Sequence, residues 1–269
     1  MDRTRILQLT DLHLFCDPES TLKGVPTRRT LQQVVGALLQ EKIDFDHVVV
    51  TGDHTHDERP ESYAVVREIL APWVNRLAVI PGNHDDREVM RSIYRDVIER
   101  QATDEVSDDD RITFSFQCDS WLCLGLDTHA PGQVSGEFGA AQAAWLSQQL
   151  VSHGDNPSII FCHHPPVDVG SDWMDRIGLL DRSLLLDIVQ NHPSLRLICC
   201  GHVHHEFEGV IGRTRVVTTP STGVQFDPQE PEPRFTSDPP GCRIIELTGN
   251  QLETRIIRVA HAEPTQGCD

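Results

Sequence analysis

The sequence predicts an α/β protein in which two sheets pack face to face with helices outside. Three observations predict it. Strand-like and helical segments alternate through the first hundred residues, which argues for parallel strands joined by crossover helices. Two continuous apolar runs, "PSIIFC" (157–162) and "LRLICC" (195–200), read as further strands. The last third of the chain then turns β-rich.

The elements follow in order. "RILQLT" (5–10) reads as a strand. Leu31, Val34, Val35, Leu38 and Leu39 recur at helical spacing, so 28–41 is an amphipathic helix. "HVVVTG" (47–52) is a strand, 61–75 a helix, "RLAVI" (76–80) a strand and 86–100 a helix. "RITFSF" (111–116) and "WLCLGLD" (121–127) lie close enough for a hairpin. Helices are expected at 138–152 and 181–191, and strands at "RTRVVTT" (213–219), "GCRIIEL" (241–247) and "QLETRIIRV" (251–259). Two stretches resist assignment. Residues 101–111, "QATDEVSDDDR", are acidic and expected to be exposed, and 227–240, "DPQEPEPRFTSDPP", are too rich in Pro to continue a central strand. With no internal repeat and no dividing linker, 1–269 is expected to be a single domain with a β-rich C-terminal third (213–259).

Composition narrows the function. No run approaches the roughly 18 apolar residues of a membrane span. The opening "MDRTRILQLT" lacks the pattern of a signal peptide, so a cytoplasmic location is expected. Of eight cysteines, Cys123, Cys162, Cys199 and Cys200 sit in apolar runs, where Cys acts as a small buried hydrophobe. None forms a C-x-x-C pair, which argues against zinc-ribbon and thioredoxin-like readings. Net charge is −18, from 23 basic and 41 acidic residues, so the chain would repel a polymeric nucleic acid. A small anion can still bind where metal ions supply local positive charge.

The informative residues sit just past the carboxyl ends of the strands, where α/β sheets place ligands. Asp11 and His13 follow the first strand, Asp53 the second, Asn83 and His84 the third. His163 and His164 follow "PSIIFC", and His202 and His204 follow "LRLICC". Oxygen donors and imidazoles without a thiolate suit Mn, Fe or Zn. Seven ligands exceed the needs of one ion and match two ions sharing a carboxylate, an arrangement that clamps both oxygens of a phosphoryl displacement. Within "PGNHDD" (81–86) the turn needs only Gly and Asn, so the imidazole and carboxylates call for another explanation.

In this order, "DLH", "GDHTHD", "GNHD", "HH" and "GHVHHE" resemble the motifs of the calcineurin-like metallophosphoesterase family. "ILQLTDLHLF", "PGNHD", "GHVHHE" and "TPSTGVQF" are more closely similar to the bacterial class III 3′,5′-cyclic nucleotide phosphodiesterases. The resemblance implies a four-layer α/β/β/α sandwich and two divalent or trivalent ions, Fe, Mn or Zn. One ion would take Asp11, His13 and His204, the other Asn83, His163 and His202, with Asp53 bridging. It implies hydrolysis of 3′,5′-cyclic AMP to 5′-AMP by attack of a metal-bridging hydroxide. His84 would be catalytic at the leaving oxygen, with Asn83, His84 and His204 bordering the substrate and Asp85 orienting the imidazole or supporting the loop. Related family members act on 2′,3′-cyclic nucleotides, glycerophosphodiesters or nucleotide-sugar pyrophosphates, and specificity is expected to lie in loops 14–28, 54–60, 129–137, 165–180 and 221–240. Some relatives are dimers, which leaves a homodimer open here. A non-catalytic scaffold would lack ligands, and none is missing.

Several side chains have competing readings. The spacing to Pro165 favours His163 over His164 as the ligand. His54 stands where the family has Leu or Ile, and could touch the site or face solvent. Trp173 could stack on a base or belong to core or rim. Asp57 could support the site or be a loop acid, and His205 could support the site or lie at the surface. His47, His153, His192 and His261 are expected to have no catalytic role.

Overall fold

The computed structural model describes residues 3–101 and 110–260. Most of the acidic stretch expected to be an exposed loop, 102–109, and His261 lie outside the described residues.

The first unit runs β1 (Thr4–Leu9), α1 (Thr27–Gln40), β2 (His47–Thr51), α2 (Pro60–Ile69) and β3 (Leu77–Ile80). The three strands pair in parallel, β1 with β2 and β2 with β3. Two departures from expectation have local causes. The helix expected over 61–75 stops at Leu70 and continues as a 3-10 turn, Ala71–Arg76, because Pro72 has no N–H to extend the ladder. The helix expected over 86–100 is two, α3 (Arg87–Ile93) and α4 (Arg95–Gln101), breaking at Tyr94, whose ring is fully buried.

The second unit opens with the expected hairpin, β4 (Phe114–Cys118) and β5 (Trp121–Leu126), which are antiparallel. Next come α5 (Ala140–His153), β6 (Ser158–Cys162), a one-turn α6 (Asp172–Asp175), α7 (Arg182–Asn191) and β7 (Leu195–Cys200). β8 (Phe207–Ile211), which the pattern does not announce, pairs with β9 (Thr214–Thr218). The Pro-rich stretch contributes only the short pair β10 (Gln225–Phe226) and β11 (Phe235–Thr236). β12 (Gly241–Thr248) and β13 (Gln251–Arg258) return to the first sheet.

Two large sheets result, ordered β13-β12-β1-β2-β3 and β4-β5-β6-β7-β9-β8. Between them lies a dry layer including Ile6, Val49, Phe114, Phe161, Leu197 and Ile245. On the outer face of the first sheet, Leu7, Leu9, Val48 and Val50 meet the buried faces of α1 and α2 (Leu31, Val34, Tyr63 and Val66). On the outer face of the second sheet, Leu124, Ile160 and Ile198 meet Trp145 and Leu146 of α5 and Leu185 of α7. This is the four-layer α/β/β/α sandwich. Each side chain fully buried in these layers contributes about 1.5–3 kcal/mol relative to exposure. Cys123, Cys162, Cys199 and Cys200 are fully buried, as their apolar surroundings predict. Among the described residues no helix is long and apolar enough to cross a membrane.

Candidate metal centre

β1, β2, β3, β6 and β7 all release their chains at one end of the sandwich. Past β1 and β2 the two loops run side by side. Asp11 N–H donates to Gly52 O (3.1 Å), and His13 N–H donates to Asp53 O (2.9 Å). Asp11, His13 and Asp53 are therefore brought together by backbone pairing that continues the parallel ladder. Among the described residues, nine non-glycine residues have left-handed backbone, and five of them are Asp11, His13, Asp53, His202 and His204. Such a conformation costs about 1–2 kcal/mol per residue. Strain concentrated on these donors marks a functional site. The glycine before Asn83 is required by a close approach, since a Cβ on Gly82 would overlap Asp53 Oδ1 and the Asp53 amide.

Every polar residue of "PGNHDD" has work in the structure. Asp85 is buried and its carboxylate accepts from Gly82 N–H (2.9 Å), His54 N–H (3.0 Å) and Tyr63 OH (2.9 Å). It therefore supports the loop, the second of its two expected roles. Asp86 caps α3 by accepting from Val89 N–H at 2.9 Å, a contact worth about 0.5–2 kcal/mol. His84 N–H donates to Asp53 Oδ1 at 2.8 Å.

The donor atoms form two groups joined by Asp53. In the first, His13 Nε2 lies 3.1 Å from His204 Nε2 and 3.3 Å from Asp53 Oδ2, and His204 Nε2 lies 3.3 Å from Asp11 Oδ1. In the second, Asn83 Oδ1 lies 3.2 Å from His163 Nε2 and 3.0 Å from His202 Nδ1. Asp53 Oδ2 reaches the second group at His163 Nε2, 3.5 Å away.

Backbone carbonyls fix which nitrogen faces inward. His163 Nδ1–H donates to Thr51 O (2.8 Å), His204 Nδ1–H to Val224 O (2.8 Å) and His202 Nε2–H to Ile177 O (3.1 Å). Occupying the outer nitrogen turns the other ring nitrogen toward the centre, the orientation a metal-binding imidazole requires. The charges agree. Burial opposes ionisation of Asp53, but His163 and His13 outweigh it and hold the carboxyl well below its usual range. Burial, with the His163 charge, pushes His202 down to about 3. Burial also works against a charge on His163, yet Asp53 and Asp11 raise it to about 10.

The donor set fits metal ions. His202 presents a lone pair to the Asn83 oxygen, and His13 and His204 bring two ring nitrogens together. Acceptors crowded in this way beside two buried carboxylates need positive charge among them. Oxygen and imidazole donors without thiolate suit Mn, Fe or Zn.

The remaining candidates fall outside this set. His164 lies near His163 and His202, but its ring nitrogens are engaged by Thr128 Oγ1 (2.8 Å) and Val134 O (3.0 Å), so it is not free to face a cation. His54 is neither at the site nor in solvent. Fully buried, it meets Tyr94 OH at 3.2 Å and Ile80 O at 3.3 Å. Trp173 is half-buried and packs edge-on at 5.0 Å against Phe226, which is half-buried too. Asp57 accepts from the Arg59 amide, and His205 is buried with Nδ1 on Val203 O, away from the surface. His56 was missed, although "GDHTHD" puts it three residues after Asp53. Its Nδ1 lies 3.3 Å from His13 Nδ1.

A double sheet with this donor set at its strand ends defines a metallophosphoesterase. The calcineurin-like phosphoesterase family matches residues 4–206, and the chain belongs to it. The chain is 35% identical over 257 residues to the 3′,5′-cyclic adenosine monophosphate phosphodiesterase CpdA of Pseudomonas aeruginosa, covering 94% of this chain and 89% of that protein. It is 31% identical over 218 residues to the glycerophosphodiester phosphodiesterase GpdQ of Enterobacter lignolyticus, covering 80% and 77%. A dimetal phosphatase from Danio rerio shares the fold at a TM-score of 0.69 and 14% identity, over 96% of this chain and 99% of that one.

Proposed function

We propose that the chain hydrolyses 3′,5′-cyclic AMP to 5′-AMP at a two-metal centre. The observation that carries the reading is the convergence of six donors around Asp53, in a chain similar to CpdA over most of its length. One ion would take Asp11, His13 and His204, the other Asn83, His163 and His202, with Asp53 shared. When bound, the two ions supply the positive charge and Lewis acidity that diester hydrolysis needs.

The chain's own residues bind and protonate. Asn83 and His84 line a cleft of about 480 Å³ that opens beside the centre. From that wall His84 donates a hydrogen bond to the phosphate, and it passes a proton to the 3′ oxygen as a water-derived oxygen bonds to phosphorus and the P–O3′ bond breaks. Asn83 and His204 border the same phosphate. Glu58, Asp86, Glu88 and Asp110 also line the cleft. A substrate with several phosphates would meet like charge there, while a cyclic diester brings only one negative charge.

The likeness to GpdQ favours a second reading, hydrolysis of glycerophosphodiesters at the same centre. Steady-state rates of metal-loaded protein on 3′,5′-cyclic AMP, 2′,3′-cyclic AMP, glycerophosphodiesters and bis(4-nitrophenyl) phosphate separate the two. The proposal expects the highest kcat/KM on 3′,5′-cyclic AMP. A faster rate on another natural diester would replace the substrate and leave the centre standing.

Metal uptake has a pH signature. With its value raised to about 10, His163 keeps a proton in the metal-free protein at neutral pH. An ion takes Nε2 only after that proton leaves. Uptake should therefore release about one proton from this site, and apparent affinity should rise about tenfold per pH unit below that value. Calorimetry in two buffers of different ionisation heat reads the release, and identical heats in both would contradict it.

A further inference from the structure

Three of the four imidazoles at the centre have their outer nitrogen on a backbone carbonyl, namely Thr51, Ile177 and Val224. His13 does not. Its outer nitrogen, Nδ1, meets the side chain of His56, Nδ1 to Nδ1 at 3.3 Å. For His13 Nε2 to offer a lone pair, Nδ1 must carry the hydrogen and donate it. His56 Nδ1 is then the acceptor. The same ring stacks on His84, with centroids 4.8 Å apart and planes at 28°. Among the described residues the His84 imidazole makes no side-chain hydrogen bond, and its ring contacts are His56 and, at 5.0 Å, His13. His56 itself is well fixed. Its backbone N–H donates to Leu14 O (3.1 Å), Leu14 N–H donates to His54 O (3.2 Å), and its ring lies edge-on to Phe15 at 5.3 Å.

We propose that His56 is a positioning residue that holds His13 in its metal-ready tautomer through one ring nitrogen and sets the pose of His84 through its ring face. The assignment rests on the two-metal reading above. It differs from a third cation site, although His13, His56 and His84 bring nitrogens within 4.8 Å of one another. When His13 Nε2 serves the centre, its Nδ1 bears a hydrogen and has no lone pair for a further ion. The placement explains why an imidazole stands three residues after Asp53: it supplies an acceptor for one neighbour and a flat face for the other, which neither Gln nor Phe does alone.

Those two substitutions separate the functions. His56→Phe keeps a ring against His84 and removes the acceptor for His13. His56→Gln keeps an acceptor and removes the ring. Each variant and the parent are titrated with Co²⁺, followed by visible absorption, and assayed at saturating metal on methyl phenyl phosphate, an artificial diester whose leaving oxygen needs a proton. Thermal melts check the fold. Removing a partner of a metal-binding imidazole costs about 10–100-fold in affinity. His56→Phe is therefore expected to weaken Co²⁺ binding by that factor with kcat nearly retained. His56→Gln is expected to bind Co²⁺ nearly as the parent does, with kcat lowered severalfold. Unchanged Co²⁺ spectra, affinities and kcat in both variants would overturn the assignment, as would parallel losses tracking a lowered Tm. A third ion per chain in the parent that disappears from both variants would also overturn it. A parent protein that takes up no Co²⁺ would instead overturn the two-metal reading itself, and the artificial ester keeps the test independent of which natural diester is the substrate.

Discussion

Asp53→Ala is expected to strip the centre of metal and lower kcat/KM by on the order of 10³-fold or more, because several kcal/mol of charge stabilisation goes with the ions. The carboxylate is buried, and its two oxygens have three partners. Oδ2 stands between His13 at 3.3 Å and His163 at 3.5 Å, and Oδ1 accepts the His84 amide at 2.8 Å. Asp11 Oδ1 also lies between the groups, but at 3.3 Å from His204 and only 4.0 Å from His163. Under the two-metal reading, removing Asp53 deletes the shared ligand and one of two buried carboxylates that would draw cations in. It also leaves the His84 N–H without its acceptor, so the loop that carries Asn83 loosens. Metal analysis by mass spectrometry beside the parent protein measures the first effect. A variant that kept two ions would show that Asp53 is not the shared ligand.

His84→Ala is expected to keep both ions and lose activity by about 10²–10⁴-fold on esters with poor leaving groups. His84 offers its backbone N–H to Asp53, which alanine also does, so the metal donors stay in place. What is lost is the imidazole at the cleft wall. A nitrophenolate departs without a proton, so the loss on bis(4-nitrophenyl) phosphate should be much smaller than on 3′,5′-cyclic AMP. Equal losses on the two esters would argue against proton delivery and leave His84 a role in binding alone.

Much of the fold, and the seven candidate donors that it brings together, could be read from residue types and their order. Strands that run fully buried, such as Ser158–Cys162, announce themselves by uninterrupted apolar residues, and the donors stand immediately beyond them. β8 escaped because Phe207–Ile211 alternates exposed and half-buried positions at a sheet edge and contains Glu208 and Gly209. His54 was ambiguous because its partner, Tyr94, lies 40 residues away and is reached only by packing α3 and α4 on the first sheet. The tautomers were invisible for a related reason. Thr51, Ile177 and Val224 act through carbonyl oxygens, which every residue has, so no side-chain pattern marks them. Backbone strain is equally silent, since Asp11, His13 and His204 have side chains that give no sign of a left-handed φ. The one missed residue with a readable signal is His56, an imidazole at a fixed offset from a ligand.

Anomalous diffraction from crystals of the Mn²⁺- or Zn²⁺-loaded protein tests the central claim most directly. The expected result is two peaks, one against Asp11, His13 and His204 and one against Asn83, His163 and His202, with the Asp53 carboxylate touching both. A single peak, or a second peak away from Asp53, would contradict it.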